Sequence, residues 1–524
     1  MSGGADPGEA AQSGGDRLEI LLTAHQAYPR LEALFLSAQR DIRLGFRLFD
    51  PRTKLLSEAA RAVGETWVDL LLHTVNRGIP IDMTVSDFDP VMAFEMHRRA
   101  WKFVSIAVAL NEISEPGAAR LTVRCVLHPA SGGLVPRLMF APKTRAKLRQ
   151  IADAMNKAPD PQDQLCHAPR LHAVLKYDGT RVRMRRRALP RLNPVTLHHK
   201  MAVIDAAVTY LGGLDLNNRR IDDTDHDQAA QQTWHDLQLI SHDPKVAADA
   251  TDFLQRLPDI IDRKGHLRRA SSAFRTTVSR RRARNVIHLA PESVDESLLH
   301  DHLAQIAAAR QFIYLETQYF RDRRLVSALR KAARRNPRLR LVVLLPGAPD
   351  DVAFHKTPEL DGRFGEYLQA RAIRRVRRRF GARFLAVSPV QPREPERRDT
   401  SAPRATLAGA PIVYVHSKVA IFDDRAAIVS SANLNGRSMR WDAEAGLLLT
   451  EPAQVSDLTR AVFGTWLATE SAFDPETVFD LWAERARTNA HCAPEQRKGF
   501  IVPYDVEPAS KIGVPIPGAP TDMV

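Results

Sequence analysis

The sequence predicts an α/β fold built as two similar halves. Strand-like and helix-like segments alternate along the chain, and the alternation restarts in the second half, as expected for an internal duplication. In addition, a motif with the spacing H-x-K-x4-D occurs once in each half. At 524 residues the chain is also too long for one ordinary core, so two substantial domains are expected.

The first half begins with a βαβ pattern, in which apolar runs of strand length are separated by segments with helical spacing. The strands are predicted at 18–22, 41–49, 81–85, 200–204, 208–211 and 237–240. Helices are predicted at 29–39, 58–76, 90–112, 144–157 and 244–257. This order favours a sheet with helices packed on its faces.

The second half repeats the pattern. Strands are predicted at 286–289, 312–315, 339–345, 412–415, 419–422 and 427–429, and helices at 296–310, 324–335, 363–380 and 458–469. An arginine-rich stretch without apolar periodicity separates the halves, and we interpret it as a linker. The predicted division is a disordered tail (1–16), an N-terminal lobe (17–262), the basic linker (263–284), a C-terminal lobe (285–504) and a Pro-rich tail (505–524).

The composition narrows the range of partners. The net charge of +14 favours an anionic partner such as a membrane surface, a nucleic acid or a phosphate-bearing substrate. No apolar run reaches the length that spans a bilayer, and the first residues do not resemble a signal peptide. We therefore expect a monomer that is cytoplasmic or peripheral to a membrane, with secretion by a route that needs no signal peptide as the alternative.

The repeated motif carries the chemistry. It comprises His198, Lys200 and Asp205 in the first half, and the second half repeats it with His416, Lys418 and Asp423. Side chains two apart on a strand share a face, so each histidine lies beside its lysine. Lysine supplies a charge for a phosphate oxygen, and imidazole serves as nucleophile or general acid near neutral pH. Each aspartate follows its strand, where capping a turn is favoured over direct chemistry.

The flanks of the two motifs also correspond. Ten residues after each motif aspartate stands a further polar residue, Asp215 in the first half and Asn433 in the second. Two small residues precede each of them. An acid next to a phosphodiester would repel it, so we do not count Asp215 as a phosphate ligand. The three cysteines lie far apart and predict neither a disulfide framework nor a metal site.

Further segments point to one family. They are Gly212-Gly213-Leu214-Asp215-Leu216, Trp234-His235-Asp236, the run from Tyr314 to Phe320, and Ser431-Ala432-Asn433-Leu434-Asn435. Together with the repeated motif, they resemble the phospholipase D superfamily, and specifically its bacterial-type phospholipases D. The resemblance extends over about residues 18–480. Thr317 stands where the family commonly has asparagine.

The resemblance implies two α/β/α lobes with the active site at their interface, and a reaction that needs no metal or other cofactor. One histidine forms a covalent phosphohistidine and the other protonates the leaving alcohol. We assign these roles to His198 and His416 respectively. By the same resemblance, Lys200, Lys418 and Asn433 hold phosphoryl oxygens. Asp236 and Glu444 are the candidates for the carboxylates that orient the histidines.

The leading functional prediction is a phospholipase D that hydrolyses phosphatidylcholine or phosphatidylethanolamine to phosphatidic acid, with possible transfer to alcohols. One alternative is a cardiolipin synthase-like phosphatidyltransferase, which uses a second lipid as the alcohol. Another is a phosphodiesterase or nuclease of the same superfamily, which the net charge would suit but against which the chain length and the internal duplication count. The alternative that is not an enzyme is a catalytically inactive protein with the same fold that binds anionic membranes or nucleic acids.

Overall fold

A computed structural model of the chain describes residues 18–354, 359–400, 404–470, 472–517 and 519–523. The tail predicted at 1–16 lies outside these residues. The described chain contains two large mixed sheets, with helices packed on them. The predicted α/β fold with two similar lobes is confirmed.

The first sheet has seven strands, in the order β1-β9-β8-β7-β2-β3-β4. The strands are β1 (Leu18–Leu22), β2 (Ile42–Phe46), β3 (Ile81–Ser86), β4 (Leu121–Val126), β7 (Lys200–Ile204), β8 (Val208–Gly212) and β9 (Leu237–Ser241). β2, β3 and β4 run parallel, whereas β7 pairs antiparallel with β2. A separate hairpin pairs β5 (Leu175–Tyr177) with β6 (Val182–Met184).

The second sheet has nine strands, in the order β11-β10-β19-β18-β17-β12-β13-β14-β20. The strands are β10 (Phe274–Arg280), β11 (Glu292–Glu296), β12 (Phe312–Glu316), β13 (Arg340–Leu344), β14 (Phe384–Pro389), β17 (Val419–Phe422), β18 (Ala426–Ser430), β19 (Glu444–Leu449) and β20 (Ile501–Pro503). A small hairpin pairs β15 (Thr406–Leu407) with β16 (Ala410–Pro411). The run from β10 to β14 repeats the order of the whole first sheet, with one strand added beyond each edge.

The helices of the first half are α1 (Thr23–Ser37), α2 (Glu58–Arg61), α3 (Trp67–Asn76), α4 (Phe94–Ile113), α5 (Leu134–Asn156), α6 (Pro161–Cys166) and α7 (Pro244–Ile261). Those of the second half are α8 (Ser297–Ala308), α9 (Arg323–Arg335), α10 (Asp350–Ala353), α11 (Leu360–Phe380), α12 (Gly436–Arg440), α13 (Pro452–Leu467), α14 (Val478–His491) and α15 (Glu507–Ile512). No helix in the described part of the chain combines the length and the apolar character needed to cross a membrane.

The two lobes share a hydrophobic core. Met201 and Leu239 of the first sheet belong to the same buried cluster as Ile421 and Val429 of the second sheet. The opposite face of each sheet packs against its own lobe's helices in a separate cluster. Each sheet is therefore covered on both faces, and the shared core fixes the position of one lobe against the other.

Several segments differ from the sequence-based expectation, and three of them lie at the borders of the predicted C-terminal lobe. Part of the linker predicted at 263–284 forms β10, which pairs with both β11 and β19 inside the second sheet. The strand predicted at 286–289 is instead an exposed loop, in which Val286 and Ile287 face solvent. The C-terminal tail contains α15, and Asp522 accepts a hydrogen bond of 2.7 Å from Arg440. Dense arginine concealed β10 and dense proline concealed α15, whereas apolar character alone suggested a strand at 286–289.

Candidate active site

The two motifs meet where the lobes exchange backbone hydrogen bonds. The N–H of His198 donates to the carbonyl of Ala443 at 2.8 Å, and the N–H of His416 donates to the carbonyl of His235 at 2.8 Å. Parallel bridges join Leu197 to Ala443 and His235 to Val415. Backbone hydrogen bonds from the opposite half thus hold the start of each motif strand. The two arrangements are equivalent, as at an interface with two-fold symmetry.

Each motif histidine also contacts a carboxylate from the opposite half. His198 Nδ1 lies 2.9 Å from Glu444 Oε2, and His416 Nδ1 lies 2.6 Å from Asp236 Oδ2. Both carboxylates are fully buried, whereas the side chains of His198 and His416 are 12% and 7% exposed. The structure therefore brings the two predicted orienting carboxylates to the two histidines. Their effect on catalysis stays a prediction.

The two motif lysines are buried beside the histidines. The ammonium of Lys200 donates to the carbonyl of His198, and that of Lys418 donates to the carbonyl of His416. Burial lowers the pKa of Lys200, although Asp215 and Glu444 oppose the shift. Burial lowers the pKa of Lys418 to about 7, against the opposing charge of Asp236. An anion that enters the site would therefore stabilise the charged form of both lysines.

Burial and neighbouring cations favour the neutral form of both histidines. Burial and Lys200 lower the pKa of His198, with further contributions from Arg47, Lys418 and His416. The pKa of His416 is lowered by burial and by Lys418 and Lys200. Since each histidine responds to the lysine of the other half, the two motifs form one electrostatic site.

The paired carboxylates are affected by burial in the opposite direction. Burial raises the pKa of Glu444 to about 8, although Lys200 opposes the shift. Burial also raises the pKa of Asp236, against the charge of Lys418. The hydroxyl of Ser431 donates to Glu444 Oε2 at 2.5 Å, and the indole N–H of Trp234 lies 3.4 Å from Asp236 Oδ2. A positive charge on either imidazole would stabilise its carboxylate partner in the ionised form.

The motif aspartates lie at the other end of their strands. The carboxylate of Asp205 accepts the backbone N–H groups of residues 39–41, and that of Asp423 accepts those of residues 310–312. Both aspartates have a φ of 55°, in the left-handed region. The structure does not bring Asp205 or Asp423 to the histidines. Their contacts are those of residues that cap a turn.

Asp215 and Asn433 occupy equivalent positions but differ in their partners. Asp215 Oδ1 accepts the N–H of Leu48 at 2.9 Å, and its other oxygen lies 3.6 Å from the guanidinium of Arg47. The amide of Asn433 lies 3.5 Å from Gln318 and 3.4 Å from Thr317 Oγ1. Both residues are buried. Asp215 is thus engaged by the backbone and an arginine, whereas Asn433 keeps its amide beside neutral groups.

Sequence reasoning missed Arg47, which lies close enough to both histidines to lower their pKa values. Its only sequence signal is its place directly after β2, where side chains of the site are expected. Arg220 adds a second cation: its guanidinium lies 3.3 Å above the ring of Trp234, which in turn packs 4.7 Å from the ring of His416. This stacking fixes one face of His416.

No group of three or more His, Cys, Asp or Glu side chains within the described ranges is arranged to hold a metal ion. The cysteines at 125, 166 and 492 are free.

Comparison with known proteins identifies the fold and its relatives. The family described as "Cardiolipin synthase, PLD-like domain" matches residues 302–466. Cardiolipin synthase B of Escherichia coli K12 is 25% identical over 255 residues, which are 48% of this chain and 51% of that protein. Cardiolipin synthase of Listeria monocytogenes is 23% identical over 277 residues, 50% of this chain and 46% of that protein.

A phospholipase D of Phytophthora infestans is 26% identical over 196 residues, 31% of this chain but only 10% of that protein. The chain therefore spans about half the length of the cardiolipin synthases it matches. Among solved structures, phosphatidylserine synthase of Haemophilus influenzae aligns over 90% of this chain and 93% of its own, with a TM-score of 0.50 and 12% identity. The second half therefore carries a phospholipase D-like domain, and these similarities support membership of the phospholipase D superfamily.

Proposed function

We propose that the protein is a phosphatidyltransferase that moves a phosphatidyl group from one phospholipid to the hydroxyl of a second through a covalent phosphohistidine. The reciprocal arrangement of two histidine–carboxylate pairs, each with a buried lysine, carries this proposal. A double displacement needs a nucleophile and a general acid on opposite sides of one phosphorus atom. Two equivalent half-sites facing each other across an interface meet that need.

In the first step, Nε2 of His198 attacks phosphorus while the bond from phosphorus to the leaving alcohol breaks. The hydrogen bond from Nδ1–H of His198 to Glu444 keeps the proton on Nδ1 and leaves the Nε2 lone pair free for attack. The negative charge of the bound phosphodiester favours the protonated form of His416. His416 then donates its Nε2 proton to the leaving oxygen, which takes the bonding electrons and departs as a neutral alcohol. The phosphatidyl group is then bound to His198, and Glu444 balances the positive charge of that ring.

In the second step, neutral His416 accepts the proton of the incoming hydroxyl, whose oxygen attacks phosphorus. The bond from phosphorus to Nε2 breaks, its electrons return to His198, and the enzyme is restored. Asp236 holds His416 in place and stabilises its protonated form after this step, ready for the next turnover. If water replaces the lipid hydroxyl, the same step yields phosphatidic acid.

Charge on the phosphoryl oxygens is stabilised by the buried donors. Lys200 and Lys418 supply cations, and the side-chain amide of Asn433 supplies a neutral hydrogen-bond donor. Because these groups are already buried and held by neighbours, they need little reorganisation when charge develops. Arg47 lies 3.6 Å from Asp215, so its positive charge offsets the negative charge of that carboxylate near the substrate.

The sequence-based prediction placed hydrolysis first. The similarities to known proteins favour transfer of the phosphatidyl group to a second lipid. The matching family and two of the relatives compared above are named as cardiolipin synthases. Hydrolysis is the second candidate, because the Phytophthora relative is named as a phospholipase D. Both reactions share the phosphohistidine and differ only in the acceptor of the second step.

The test incubates the protein with phosphatidylglycerol in mixed micelles containing EDTA and follows the products by mass spectrometry. We expect a lipid with two phosphatidyl groups and an equal amount of free glycerol, with no product from His198→Ala. Phosphatidic acid alone would establish hydrolysis instead of transfer. If neither product forms and DNA is cleaved, the nuclease alternative replaces the proposal.

A further inference from the structure

The start of α5 exposes a cluster of apolar side chains. Of the eleven large hydrophobic residues that are strongly exposed in the described part of the chain, seven lie at the start of α5 and in the neighbouring loop. Met139 is 72% exposed, Ile287 65% and Leu138 55%. We refer to the seven as the apolar face: Leu134, Val135, Leu138, Met139, Phe140, Val286 and Ile287. A contiguous apolar patch on a protein surface marks an interaction site.

Backbone hydrogen bonds join the helix and the loop into one surface. The N–H of Val135 donates to the carbonyl of Val286 at 2.8 Å, and the N–H of Gly133 donates to the carbonyl of His288 at 2.9 Å. On α5 itself, residues four apart lie on the same side of the helix, which aligns Leu134 with Leu138 and Val135 with Met139. The apolar face is therefore an ordered feature of the fold.

The border of the apolar face is strongly basic. Residues 121–152, 179–204 and 263–291 contain no aspartate or glutamate. The segment 188–192 lies along α5, because Arg137 donates to the carbonyl of Leu189 and Arg145 donates to that of Ala188. The exposed cations near this face include Lys143, Arg186, Arg187, Arg191 and Arg284, none of which forms an ion pair with a described residue.

The apolar face lies at the same end of the first lobe as the candidate active site. Parallel strands β2, β3 and β4 end at one edge of their sheet, and β7 begins at that edge because Lys200 pairs with Phe46. The loop from β4 to α5 starts there. The N–H of Gly132 in that loop donates at 2.8 Å to the carbonyl of Leu192, six residues before His198.

We propose that the apolar face and its basic border dock on an anionic phospholipid bilayer. The apolar side chains enter the interfacial region, and the unpaired arginines and lysines bind the anionic headgroups around them. An apolar stripe with a border of cations and no carboxylates matches that surface in both hydrophobicity and charge. Docking would bring the edge that holds His198 to its lipid substrate, and in this respect the inference rests on the proposed function.

The test measures binding of the full-length protein to sedimenting vesicles, a readout that does not depend on turnover. We expect binding to phosphatidylcholine vesicles that contain phosphatidylglycerol, and weaker binding to phosphatidylcholine alone. Leu138→Glu combined with Met139→Glu should bind about tenfold more weakly or worse. The matched control is Val108→Glu combined with Ile113→Glu, two residues of comparable exposure on α4, which should bind as the wild type does.

A second pair of variants tests the charge. Arg186→Glu with Arg187→Glu should weaken binding to the anionic vesicles by about tenfold, since each basic residue near the surface contributes to the attraction. Arg378→Glu with Arg379→Glu makes the same change in net charge at exposed positions of α11, and should have less effect. Equal losses from the two pairs would show that overall charge, and not this surface, attracts the membrane, and would overturn the proposal.

Two further outcomes would also overturn it. The first is vesicle binding by Leu138→Glu/Met139→Glu that equals the wild type. The second is a second copy of the chain on the apolar face, seen by light scattering as a wild-type oligomer that this variant converts to a monomer. The His198→Ala variant should bind vesicles normally, so loss of the proposed chemistry and loss of docking are distinguishable.

Discussion

The two half-sites share a backbone arrangement and differ in their side chains. Ile42 pairs with Ile204 in the first sheet, as Ile313 pairs with Phe422 in the second. Counting from these pairs makes Arg47 equivalent to Gln318. Glu444 and Asp236 are equivalent as well. Glu444 begins β19, the strand next to β18, and Asp236 immediately precedes β9, the strand next to β8. The duplication thus preserved the crossed histidine–carboxylate contacts in both copies.

The surroundings of the two histidines have diverged. In the first half, Arg47 faces Asp215, and the ring of His199 packs against Gly45, where a side chain would collide with it. In the second half, neutral Gln318 lies beside Asn433, and Glu316 accepts a hydrogen bond from Ser417. The backbone thus supplies two equivalent positions for a histidine, while the neighbouring charges allow the two histidines to take different roles.

The largest expected loss comes from the crossed carboxylates. Glu444→Gln and Asp236→Asn should each lower kcat for lipid transfer by about 10³-fold or more, because an amide neither fixes the required tautomer nor balances an imidazolium. Glu32→Gln is the control: Glu32 is a buried carboxylate that accepts the N–H groups of residues 56 and 57. It should alter stability and leave kcat nearly unchanged. Unchanged kcat in both site variants would refute the orienting role.

Asp215 and Asn433 occupy equivalent positions, and exchanging their side-chain types should lower kcat/KM by different amounts in the two halves. Asn433→Asp places an anion where the phosphoryl group is expected, and should lower kcat/KM by about 10²-fold. Asp215→Asn retains an acceptor for the N–H of Leu48, and should change kcat/KM by no more than about threefold. Steady-state kinetics of both variants measure the contrast. Equal losses would contradict the assignment of phosphate binding to the second half.

The buried lysine of the second half predicts a pH dependence. Burial lowers the pKa of Lys418 to about 7, so its charge is present below this pH and is lost in the free enzyme as the pH rises through it. We therefore expect kcat/KM to fall above about pH 7. Lys418→Arg keeps its charge, so whatever activity it retains should extend to higher pH. An unchanged alkaline limb in this variant would contradict the role of Lys418.

The motif aspartates should show the smallest kinetic effect and similar behaviour in both halves. Asp205→Ala and Asp423→Ala each remove a carboxylate that accepts three backbone N–H groups. We expect the free energy of unfolding to fall by about 1–3 kcal/mol, with kcat of the folded protein nearly unchanged. Denaturant unfolding and kinetics on the folded fraction measure the two effects. A large loss of kcat without a loss of stability would overturn the capping role.

The repeated motif predicted that each histidine of the candidate site lies beside its lysine. In the structure each histidine precedes strand β7 or β17 and is not part of it. The crossing of Asp236 to His416 and of Glu444 to His198 could not be predicted, since local periodicity does not determine how two sheets meet. Arg47 was missed for the same reason: its proximity to the histidines depends on the pairing of β2 with β7.

The fold was predicted well where the chain is apolar and poorly where it is basic. Apolar runs such as β12 and β13 were recognised directly. β10 was read as linker because its flanking arginines conceal Thr276, Thr277 and Val278, which are buried between two neighbouring strands. The run 286–289 was read as a strand because it is apolar, although it lies exposed on the apolar face. Hydrophobicity alone does not distinguish a buried strand from an exposed apolar loop.

The most direct test of the account is a burst experiment with a p-nitrophenyl phosphodiester, whose leaving group needs no general acid. We expect His416→Ala to release about one equivalent of p-nitrophenolate per protein and then stop, because the second step lacks its base. Mass spectrometry should then find the phosphoryl group on His198, and His198→Ala should give no burst. A burst from His198→Ala with the label on His416 would reverse the assigned roles, and no covalent label in either variant would contradict the phosphohistidine mechanism.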